Sequence, residues 1–86
     1  MNKPRIWTDD ENFLIDLKGS GWGVLFAFSK EELAKGASLQ RMMNIKVRET
    51  QRNSGWVVSL DDIKDAARKA MPFLRAEVES YFEARA

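Results

Sequence analysis

Seven side chains between residues 40 and 53 hold most of the recognition chemistry in this sequence: Gln40, Arg41, Asn44, Lys46, Arg48, Arg52 and Asn53. Glutamine, asparagine and arginine are the donor and acceptor types that meet base edges in a major groove, while arginine and lysine neutralise phosphates. Their surroundings reinforce this reading. Residues 36–58 contain four basic side chains and one acidic, whereas residues 1–35 and 59–86 each contain five basic and six acidic. A chain of net charge +1 therefore gathers its positive charge in one central segment, which suits an anionic partner.

The same sequence argues against other classes of function. It has no cysteine and no histidine, so thiolate and imidazole metal sites are excluded and no cofactor is expected. The carboxylates Asp9, Asp10, Glu11, Glu31, Glu32, Asp61 and Asp62 stand at expected helix starts, where free amides and the helix dipole favour them. No nucleophile–base pair or glycine-rich phosphate loop accompanies them, and an enzyme is not expected. The longest apolar run, Val24–Phe28, is far shorter than the roughly 20 residues of a membrane span. The basic start of the chain runs at once into Thr8-Asp9-Asp10-Glu11, unlike a signal peptide, so a cytoplasmic location is expected.

The elements that must position these residues can be read from caps and spacing. Eighty-six residues suffice for one small core, hence a single domain over 1–86. Thr8-Asp9-Asp10-Glu11 has the form of a capping box, predicting a helix with Phe13, Leu14 and Leu17 inward and Gly19 as its stop. Trp22–Phe28, apolar and aromatic, predicts a buried strand. Ser29-Lys30-Glu31-Glu32 opens a short helix that Gly36 ends, and Ser38 caps another carrying Leu39, Met42 and Met43. Beyond Asn44 two readings stand: helical spacing continues to Val47, while Ile45, Val47, Trp56 and Val58 also fit alternating strands. The turn-forming Arg52-Asn53-Ser54-Gly55 favours a hairpin of 45–50 with 56–59. Ser59 caps a last region of helix, which Pro72 ends or kinks, followed by an amphipathic segment with Phe73, Leu74, Val78, Tyr81 and Phe82.

Over residues 28–71 the order Phe28-Ser29-Lys30-Glu31-Glu32-Leu33-Ala34, Ser38-Leu39-Gln40-Arg41-Met42-Met43-Asn44 and Trp56-Val57-Val58-Ser59-Leu60-Asp61-Asp62-Ile63 resembles the winged-helix family of excisionases and MerR-type regulators. The resemblance implies a mainly α fold with a small β-sheet, a winged helix-turn-helix with an added C-terminal helix. It also implies double-stranded DNA as partner, with Gln40, Arg41 and Asn44 in the groove and Arg48 and Arg52 on the wing. Lys46 and Asn53 would lie beside them. The expected function is that of a small regulator or recombination accessory factor of phage or plasmid type, dimeric through residues 73–85. The alternative is an adaptor or inhibitor docking on a protein through Trp56, Phe73, Val78, Tyr81 and Phe82.

Overall fold

The computed structural model describes residues 4–55 and 57–85. Three strands, β1 (Arg5–Thr8), β2 (Asn12–Gly19) and β3 (Trp22–Ser29), form an antiparallel meander in the order β1-β2-β3. Three helices follow: α1 (Lys30–Ala34), α2 (Leu39–Asn53) and α3 (Leu60–Arg85). The protein is thus mainly helical with one small sheet. α3 packs across β2 and α2 lies beside α3 beneath β3, so the helices cover one face of the sheet.

The first element departs from expectation: residues 12–19 are strand, not helix. Phe13, Ile15 and Leu17 are buried while Leu14 and Asp16 are only half-buried, a period of two. Thr8-Asp9-Asp10-Glu11 makes the β1–β2 turn instead of a helix cap. Asp9 Oδ1 accepts from the Glu11 and Asn12 amides at 2.8 and 2.7 Å, and the Asp9 N–H donates to the Asn12 carbonyl at 3.0 Å. Those two backbone bonds hold the Asp9 carboxyl below its ordinary pKa. Aspartate offers its oxygen equally to a turn and to a helix start, which is why the local sequence misleads here.

β3 agrees with the sequence reading and pairs with β2 from Asn12↔Ser29 to Gly19↔Trp22. Gly21, at φ 77°, makes the tight turn between them. Trp22 folds its indole over Gly19, so closely that a Cβ there would lie 2.1 Å from the ring nitrogen. Gly19→Ala must therefore displace the ring. The expected cost is about 1–3 kcal/mol, seen as a lowered unfolding midpoint with a shift in tryptophan emission. An unchanged midpoint would mean that Trp22 does not cover this strand end.

The caps at Ser29 and Ser38 form as read, accepting from the Glu32 and Arg41 amides at 3.2 Å each. The hairpin does not form. Residues 39–53 are one helix with Met43 and Val47 buried, so Ile45–Thr50 contains no strand and the expected wing is absent at these positions. Ser54-Gly55 ends this helix: Ser54 donates its N–H to the Thr50 carbonyl, and Gly55 takes φ 69°. Glycine past a helix end and glycine in a hairpin turn are the same local signal.

Pro72 does not end the last helix. α3 runs 26 residues through it, although proline has no N–H to give the Arg68 carbonyl. Ile63, Ala67, Ala70, Met71 and Leu74 are buried along one stripe, and Val78, Tyr81 and Phe82 extend it against the core. Phe13 meets Tyr81 and Phe82 edge-on, with ring centroids 5.2 and 6.1 Å apart. This continuous contact with β2 outweighs the single lost bond.

Candidate nucleic-acid interface

At about 100° per residue, positions 41, 45, 48 and 52 of α2 fall on one stripe, opposite Met43 and Val47. Arg41, Ile45, Arg48 and Arg52 are all exposed there. The three arginines span about 16 Å along the axis. None of them enters an ion pair among the described residues. Ile45 is 50% exposed in their midst, so the stripe is a cationic ridge with one apolar side chain at its centre.

α3 adds to it. Lys64 joins Arg41, Asn44, Ile45 and Arg48 around a shallow depression of about 470 Å³. Beyond it, on the same side of α3, Arg68 and Arg75 border a groove of about 840 Å³ floored by Met43, Ala67 and Met71. Acidic groups temper that second part. Asp65 pairs with Lys69 at 3.0 Å and with Arg68, and the bond from Lys69 is the main reason its carboxyl lies below the ordinary value. Among the described residues Arg41, Arg48, Arg52 and Lys64 enter no ion pair, unlike Arg68.

Gln40 and Asn44 lie on the flank of α2 that faces α3, both exposed, with Gln40 Nε2 donating to Asn44 Oδ1 at 2.9 Å. They border the cationic ridge. Lys46 and Asn53 do not: they turn to the opposite flank, beside β3. Lys46 is half-buried with its ammonium 5.3 Å from the centre of the Phe28 ring. Arg48 and Arg52, expected on a wing, reach the ridge as helix residues. Of the expected partner-interface residues, Val78, Tyr81 and Phe82 are packed on the chain's own core and Phe73 is half-buried, while Trp56 lies outside the described residues.

Sequence reasoning missed Lys64, Arg68 and Arg75. Their spacing of four and seven residues was a usable signal, since it places all three on one helical face. What hid them was the near-neutral charge of residues 59–86, a sum that says nothing about faces.

Among the described residues no group of three or more histidine, cysteine, aspartate or glutamate side chains is arranged to hold a metal ion. No helix there is long and apolar enough to cross a membrane. No family model matches the chain, and no curated protein or solved structure resembles it at a significant level.

Proposed function

We propose that this protein binds double-stranded DNA through the outer face of α2, as a small regulatory or accessory factor. The observation that carries the reading is the alignment of Arg41, Arg48 and Arg52 on one exposed stripe with no acidic partner among the described residues, and with Lys64 of α3 beside it. Cations held without counter-charges on a rigid helix meet phosphates at little cost in ordering. A helix has the width that the major groove of B-form DNA admits, and Gln40 and Asn44 at its N-terminal end have the donors and acceptors for base edges.

Of the winged-helix resemblance, this reading keeps the capped helix, the turn and the cationic second helix over residues 29–53. It requires no wing, because α2 itself carries Arg48 and Arg52. The competing reading, docking on a protein through the C-terminal helix, has weaker support, since Val78, Tyr81 and Phe82 are engaged with the chain's own sheet.

The test is a titration of fluorescent random-sequence duplex at two salt concentrations. Three to four phosphate contacts predict that log K falls with log salt at a slope of about −3 to −4. Absence of binding at about 50 mM salt, or a slope near zero, would remove the proposal.

A further inference from the structure

The two edges of the sheet are built differently. β1, at one edge, has four residues, follows Pro4 and carries Arg5, and short length, proline and charge all protect an edge from pairing. β3, at the other, has eight residues with no charge and no proline. Gly19 and Trp22 close a two-residue turn and so form a hydrogen-bonded pair, from which the pairing alternates along the strand. The bond from the Lys30 N–H to the Glu11 carbonyl, 2.9 Å long just past the strand's other end, keeps that parity. Val24, Phe26 and Phe28 thus turn their backbone groups to β2, and Gly23, Leu25 and Ala27 turn theirs to the open edge.

Beside this edge runs a groove of about 560 Å³ between β3 residues 24–27 and the α2 side chains Lys46, Glu49, Thr50 and Asn53. We propose that a second copy of the chain pairs here, β3 to β3 in antiparallel sense across a two-fold axis, to make one six-stranded sheet. An isologous contact needs a surface complementary to itself, and this one is. A strand without charge meets its mate without repulsion. The α2 wall of the groove carries one cation and one anion a turn apart, and two-fold reversal sets Lys46 of one copy toward Glu49 of the other. Leu25, 57% exposed on the uncovered sheet face, gains apolar cover at the seam. The arginine stripe lies about a third of a turn round α2 from the groove wall and stays open, so pairing and DNA binding are independent.

Sedimentation velocity from about 10 µM to 1 mM tests the pairing in the wild type, L25K, E49K and K46E/E49K, with circular dichroism to confirm folding. The wild type is expected to show a two-chain species. L25K and E49K are each expected to raise its dissociation constant about tenfold or more, and the double exchange to restore it toward the wild-type value. The amides of Gly23, Leu25 and Ala27 are expected to exchange more slowly as wild-type concentration rises. A wild type that sediments as a monomer throughout, or a dimer that L25K leaves intact while those amides still exchange freely, overturns the proposal.

Discussion

Replacing Arg41, Arg48 and Arg52 together by alanine is expected to weaken binding to random duplex DNA by about 100-fold or more at 50 mM salt. Each arginine that neutralises a phosphate releases close to one counterion, so the salt slope should become shallower by about 2 to 3 units. The substitutions touch only exposed positions on the outer side of α2 and leave Met43 and Val47 in place, so folding stability should hardly change. Alanine is also a better helix former than arginine. Lys46→Ala is the internal control. Its ammonium sits against the Phe28 ring on the other flank, and its removal should leave the slope where it is. A triple variant that binds as tightly as the wild type would place DNA contact elsewhere or nowhere.

The second large effect concerns the sheet. Phe13 and Ile15 are completely buried on β2, and Phe13 packs edge-on against Tyr81 and Phe82. Phe13→Ala is expected to cost about 3–5 kcal/mol and Ile15→Ala about 2–5 kcal/mol, from lost burial and the cavity left behind. A domain of this size has about 4–13 kcal/mol in total, so either change removes a substantial part of its stability and should lower the unfolding midpoint markedly. Leu14→Ala, one residue away on the half-covered face, should cost much less. Urea unfolding followed by circular dichroism measures all three. The contrast between Leu14 and its neighbours is the discriminating result, because a helix with Phe13, Leu14 and Leu17 inward predicts a large loss at Leu14.

The wing was the largest difference between the sequence reading and the fold. Residues 45–50 alternate well enough for a strand, yet Met43 and Val47 stand four apart and fit under β3 as one turn of helix. Both periods are written into so short a segment, and the covering layer chose. The same ambiguity ran the other way at Phe13-Leu14-Ile15-Asp16-Leu17, where positions 13, 14 and 17 suit a helix and 13, 15 and 17 suit a strand. In the candidate interface, Arg41, Arg48 and Arg52 were legible from residue type and local charge. That Lys46 leaves the group and Lys64 joins it was not, since it depends on the angle of α2 and on its contact with α3.

The amino-acid sequence alone determined the features whose partners lie within about four residues: the serine caps before α1 and α2 and the glycine at φ 99° that follows α1. It also marked the apolar, aromatic stretch leading into Ser29 as strand by residue type. Tertiary structure decided whatever required a distant surface. It made residues 12–19 a strand by giving Phe13, Ile15 and Leu17 a helix to face, and it carried α3 through Pro72 because Leu74, Val78 and Tyr81 had β2 to cover. It also sorted the cations by face. Local hydrogen bonds are fixed by neighbours in the chain, whereas burial needs a second element, and only the assembled layers supply one.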